Sequence, residues 1–174
     1  MNQKQIIYPT FSSRIFAGIL DLCLISFIAG PLLSYLHNQM IITEFADYFH
    51  RMQLDVSDPT TLISALKTKE FIAFMSDEGY YSSVKIGLTS LFLQLFCIAL
   101  YNILSIYKFG TSFGKFIIRS KVVDMSSLQK PNLTQLIKRC VLALLAFIGF
   151  WSILFSSKRQ SFHDKIAKTI VIKV

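Results

Sequence analysis

One carboxylate sits where carboxylates are costly. Between Arg14 and Glu44 the only group expected to be ionised at neutral pH is Asp21, about a third of the way into a long apolar run. An aspartate near the centre of a membrane helix costs about 2.5–3.5 kcal/mol on insertion scales, so neighbouring groups must offset it. Such a residue can bind a cation or proton and change protonation during a cycle; the plainer role is a helix-to-helix lock, permanently paired or protonated. Arg14 lies seven positions earlier, two turns away on almost the same face. The rise between them is roughly 10 Å, too long for a direct pair. Better contacts for Asp21 are Arg139, at the start of a later apolar run, and Gln94 or Asn102 in the middle one. Arg14, Asp21, Asn102 and Arg139 together form a candidate polar pathway for a monovalent cation or a proton.

Other polar groups carry weaker signals. Gln94, Tyr101 and Lys108 recur at intervals of seven and share a helix face next to Asn102; a hydrogen-bonded packing seam is the preferred reading. Asp164 follows His163 outside the apolar runs. It reads as a cap for a short helix through Ala167, or else as a membrane-edge partner of Lys115 or Arg119. The run Gly110 to Lys115 has the look of a phosphate loop, but it is one residue short and Phe116 stands where a magnesium-binding Ser or Thr is needed. His37, His50 and His163 have no ligand spacing, so neither a metal nor another cofactor is expected. No pair has nucleophile-and-base character, so no enzyme is expected. Cys23, Cys97 and Cys140 fall in or beside three different apolar runs, which suits buried thiols better than disulfides.

The elements that must position these residues are legible as hydropathy. From Ile86 to Tyr107 there are 22 residues without a charge, and from Cys140 to Ser157 there are 18. A bilayer core needs roughly 20 apolar residues. The reading is an all-α integral membrane protein with three hydrophobic segments, at about 14–36, 84–107 and 140–157. The first is too long, and too charged in its middle, for a cleaved signal, and so is expected to be a retained anchor. Ser12 or Ser13 can cap it, and Pro31 is expected to kink or end it. Helices are also expected near Thr43–Met52 and from Pro59 to about Met75. Phe116–Val123 and Thr169–Val174 are rich in β-branched residues and can pair as short strands at the cytoplasmic face.

The net charge of +8 is unevenly spread. Seven of the ten acids lie between His37 and Ser83, whereas residues 108–139 hold seven Lys or Arg and only Asp124. The positive-inside rule makes 37–83 an external acidic loop, 108–139 a basic cytoplasmic loop and the amino terminus cytoplasmic. The basic excess then reads as orientation and membrane-lipid contact rather than nucleic-acid binding. Asn132-Leu133-Thr134 matches a glycosylation sequon but falls in the cytoplasmic loop. The tail holds five more cations, from Lys158 to Lys173, which a single crossing by 140–157 would put outside. A re-entrant hairpin turning near Gly149 would keep it inside.

Three stretches in order resemble the RDD family of small membrane proteins. Arg14-Ile-Phe-Ala17-Gly-Ile-Leu-Asp21 looks like its opening signature. Thr111-Ser-Phe-Gly114-Lys115, followed by Lys121-Val-Val-Asp124, resembles its middle motif. Lys158-Arg159-Gln-Ser-Phe-His163-Asp164 through Thr169 resembles its closing motif. The one arginine and two aspartates of the family name would be Arg14, Asp21 and Asp164. Arg119 and Lys168 stand where the family usually has glycine, which bears on the turns there. The acidic insert 37–83 is longer than the resemblance requires. The resemblance implies a three-segment fold in the cell (inner) membrane, suspected of transport, with some members linked to sodium–proton exchange and others accompanying larger complexes. Two functions follow: cation or proton-coupled transport, by a homo-oligomer because three segments enclose too little polar surface, or an accessory scaffold that docks a membrane-protein partner through 37–83.

Overall fold

The computed structural model describes residues 6–53, 64, 67–145 and 160–174. Helix α1 runs Phe11–Glu44 and helix α4 Glu78–Phe109, with two short helices, α2 (Ala46–Arg51) and α3 (Lys69–Ser76), between them. After α4 come α5 (Phe113–Ile117), strand β1 (Ser120–Asp124), α6 (Leu133–Leu145), α7 (Phe162–Ile166) and strand β2 (Thr169–Lys173).

Both long helices extend beyond the expected 14–36 and 84–107. At 34 and 32 residues they reach roughly 50 Å, more than a bilayer core of about 30 Å. The polar stretch 37–83 is therefore not a loop throughout: its ends are the outer turns of α1 and α4. Thr10, not Ser12 or Ser13, starts α1, its hydroxyl accepting the Ser13 amide at 3.3 Å. Pro31 lies inside α1 and does not end it; apolar membrane helices tolerate an internal proline. Both helices are long and apolar enough to cross a membrane, and only 11% and 6% of their most apolar windows are buried within the chain. A soluble core helix would be buried; here Phe27, Ile28 and Phe92 are 83%, 69% and 68% exposed. Cys23, expected to be buried, is exposed, and Cys97 and Cys140 are half-buried. Cys23 faces outward because the inward face of α1 belongs to Ala17, Asp21 and Ile25 at four-residue spacing.

A third span is not established. Helix α6 starts at Leu133, so Arg139 and Cys140 lie inside a helix rather than at a segment's edge, and the described helix ends at Leu145. The expected turn near Gly149 and the rest of 140–157 lie outside the described residues, as does the expected helix start at Pro59.

The chain divides into two compact units, one of Met1–Ile28 with Leu95–Val174, the other of Ala29–Gln94. In the second unit Phe45, Tyr48, Phe49 and Ile86 are buried together, with Phe71 and Phe74 packed on them. Tyr48 and Phe74 stack at 4.3 Å. The first unit has its own core of Ile106, Val122, Leu136 and Val171. Its two strands pair antiparallel, with Val122 opposite Val171. The amide of Lys173 also bonds the Ile7 carbonyl at 2.8 Å.

Candidate functional site

The first unit encloses two carboxylates, each fixed by partners far away in sequence. Asp21 is only 4% exposed. Its Oδ1 accepts the Tyr101 hydroxyl at 2.8 Å and the Gly114 amide at 2.7 Å. Its Oδ2 accepts the Ser112 hydroxyl at 2.6 Å and lies 3.5 Å from Lys115 Nζ. Lys115 in turn donates to Ser112 Oγ at 2.8 Å. The Tyr101 hydroxyl accepts the Phe113 amide at 3.0 Å while donating to Asp21. Amides at the first turn of a helix have no partner within it, so Asp21 supplies what α5 lacks, and α5 supplies the donors Asp21 requires.

This contact needs a glycine. A Cβ at Gly114 would lie 1.9 Å from the Ala17 carbonyl oxygen, so any larger residue would push α5 off α1. The turn leading into α5 is held on β1. Thr111 Oγ1 donates to the Ser120 carbonyl at 2.8 Å, the Val122 amide bonds the Gly110 carbonyl at 2.9 Å, and Gly110 itself has φ +74°.

Asp164 is completely buried. Arg14 Nη1 approaches its Oδ2 at 3.0 Å and Arg139 Nε its Oδ1 at 2.8 Å. The Ser161 amide donates to Oδ2 at 3.4 Å, so Asp164 both caps α7 and binds two arginines. Burial works to raise its pKa, but Arg139 foremost, with His163 and Arg14, holds the carboxyl well below the usual carboxylate range. Burial, opposed by Asp164 but reinforced by Arg139, pushes the His163 imidazole down to about 4. Ser161 Oγ lies 2.8 Å from His163 Nε2. A catalytic triad would place its carboxylate on Nδ1, whereas Asp164 Oδ1 is 3.8 Å from the same Nε2 and is committed to the arginines.

Between these two carboxylate sites lies a cavity of about 320 Å³. Arg14, Lys115, Arg139 and His163 line it together with apolar side chains such as Ile98, Ile106 and Leu136. Asn102 borders it, but its amide nitrogen donates to the Ile98 carbonyl of its own helix. Burial foremost, then the Arg139 guanidinium, pushes the Lys115 ammonium down to about 8, although Asp21 pulls the other way. A larger hollow of about 540 Å³, bordered by Leu24, Tyr101 and Phe113, has no charged lining.

The family model of the RDD family matches residues 8–168. The chain belongs to the RDD family. It is similar, at 35% identity over 98% of its own length and 99% of the relative's, to an uncharacterized protein of Rickettsia prowazekii (strain Madrid E). No solved structure matches it.

The residues that the resemblance assigns to the RDD signature, Arg14, Asp21, Thr111, Gly114, Lys115, His163 and Asp164, all lie in this one unit, though the partners of Asp21 and Asp164 differ from those expected. Arg139 binds Asp164 rather than Asp21, and Arg14, which its spacing places too far from Asp21 for a direct pair, binds Asp164 as well. Asp164 bonds neither Lys115 nor Arg119 as a direct partner. Asp21 takes Lys115 and Tyr101 in place of Arg139, Gln94 or Asn102. Sequence reasoning missed Ser112, Ser161 and Thr169, each at most 1% exposed. The signal available for Ser112 was its place two residues before Gly114 in the middle RDD motif.

Proposed function

We propose that this RDD protein is a proton-coupled transporter of a small charged solute in the cell membrane, with its amino terminus, residues 108–139 and the tail on the cytoplasmic side. The positive-inside rule supports that orientation. The observation that carries the transport reading is the cavity lined by Lys115 and Arg139 in a chain with two membrane-length helices. A cavity holding charged side chains at the end of apolar helices is an arrangement in which intramembrane charge can serve a pathway. Asp21, saturated by three hydrogen bonds and Lys115, acts as the fixed acceptor, and Lys115 is the group that gains and loses a proton near neutral pH. A homo-oligomer would complete the pathway.

The test is proton movement into liposomes that contain the purified protein, followed with a pH-sensitive dye. Lys115→Gln should abolish it while the protein still inserts. Unchanged proton movement in that variant would rule the reading out.

A second reading is favoured by the separate core of Ala29–Gln94. A self-contained module on the acidic side suits an accessory subunit that docks a membrane-protein partner. Shortening 54–66 should then release a partner that co-purifies with the intact chain.

A further inference from the structure

The cavity has an excess of positive charge. Among the described residues its charged lining is Arg14, Lys115 and Arg139, while Asp21 lies against Lys115 and Asp164 against both arginines. Arg139 spends Nε on Asp164, and its buried Nη1 has no hydrogen-bond partner among the described residues. Lys115 and Arg139 border the same void and repel each other, an interaction strengthened by low dielectric. A guanidinium nitrogen left without a partner costs more than an ordinary unmade hydrogen bond. Both costs would be relieved by one anionic group placed between them.

The rest of the lining is different in kind. Ile98, Ile103, Ile106, Ile118 and Leu136 face the same space, and a free inorganic ion would leave that wall empty. A volume of about 320 Å³ lies at the lower end of small-molecule sites and suits a small head with a short length of hydrocarbon.

We propose that this cavity binds an anionic amphiphile, its phosphate or carboxylate head between Arg139 and Lys115 and its hydrocarbon along the isoleucine wall. The assignment rests on reading the cluster as a transport site and names the solute: anion and Lys115 proton enter together, and loss of the proton weakens the hold on the head. The head can be that of a bilayer phospholipid or of a soluble alkyl phosphate.

Gly18 offers a variant that leaves every charged group in place. It lines the cavity, and a Cβ there meets nothing within 4 Å. Gly18→Leu should intrude on the void without disturbing α1. The full chain in neutral detergent is titrated with dodecyl phosphate, dodecanol and inorganic phosphate, with binding read as a saturable rise in unfolding temperature. Dodecyl phosphate should bind, dodecanol should not, and inorganic phosphate should bind much more weakly. Gly18→Leu should lose at least about tenfold in affinity, or roughly 1.4 kcal/mol, with no fall in unliganded stability. Native mass spectrometry from phosphatidylcholine nanodiscs containing phosphatidic acid separates the sources. Retained phosphatidic acid, lost in Gly18→Leu, supports the lipid; dodecyl phosphate binding without such retention supports the soluble amphiphile. Equal binding of dodecanol, binding unchanged in Gly18→Leu, or inorganic phosphate as tight as dodecyl phosphate would overturn the proposal. No gradient is involved, so a protein that binds dodecyl phosphate yet moves no protons would sink the transport reading alone.

Discussion

Gly114 approaches Ala17 so closely that a methyl group on it would fall 1.9 Å from the Ala17 carbonyl oxygen. That approach brings the Gly114 amide to Asp21, one turn further along α1. Gly114→Ala should therefore separate α5 from α1 and strand the carboxylate. Overpacking costs about 1–3 kcal/mol, and the lost hydrogen bond to a charged group adds about 1.5–3 kcal/mol. Gly18→Ala, where the added Cβ meets open space, should be neutral or stabilise by up to about 1 kcal/mol through helix propensity. Comparing the unfolding temperatures of the two variants in detergent checks the claim; equal effects would refute it.

Asp21→Asn leaves the Lys115 ammonium buried without its counter-charge. Breaking one side of a buried pair costs about 3–5 kcal/mol. The Lys115 ammonium should also lose its proton more readily, so amine-selective acylation of Lys115 should begin at lower pH than in the native protein. The double variant Asp21→Asn with Lys115→Gln should recover part of the lost stability, which a double-mutant cycle measures.

His163 and Asp164 make stability depend on acidity in two windows. The imidazole is lowered to about 4 from an ordinary 6.5 or so. Between these values the unfolded chain binds the extra proton, so stability falls as pH drops from about 6.5 to 4 and then levels for this group. Asp164 is also lowered, so its contribution is full above the ordinary carboxylate range and is lost only in stronger acid, as pH falls through the folded value. Denaturation curves at a series of pH values should be flatter between 6.5 and 4 in His163→Gln. An unchanged slope would count against the burial of a neutral imidazole.

Arg119 and Lys168 both have φ +52°. These are the positions where the RDD resemblance has glycine, and the turns survive without it. The left-handed conformation costs a side chain roughly 1–2 kcal/mol, offset in part by the entropy glycine loses on folding. Arg119→Gly and Lys168→Gly should each stabilise by about 0.5–1 kcal/mol in thermal unfolding. A loss of stability in both would mean that their side chains, not their backbones, hold the ends of β1 and β2.

Long apolar runs made α1 and α4 legible, because lipid selects for composition over some twenty consecutive residues. Their true ends were not, since the outer turns are polar and are held by contacts such as His37 with Ser90 and Glu44 with Lys85. The β-branched stretches gave the two strands, but Phe116 and Ile117 turned out to be helical, held by the amide of Phe116 on the Ser112 carbonyl. Arg14, Asp21 and Asp164 were found as residues of interest from charge in unusual places. Their pairing was not, since Arg14 and Asp164 are 150 positions apart and no local spacing encodes such a contact.

The sequence by itself determined the solvent this chain expects, its charge asymmetry and the three motifs that make it an RDD protein, because composition and short-range periodicity are local properties. Only the tertiary structure decided which carboxylate meets which cation, and that 169–173 pairs with 120–124. Those outcomes follow from the close approach of helix backbones at Gly114 and from strand pairing across the chain, which bring buried carboxylates to cations distant in sequence.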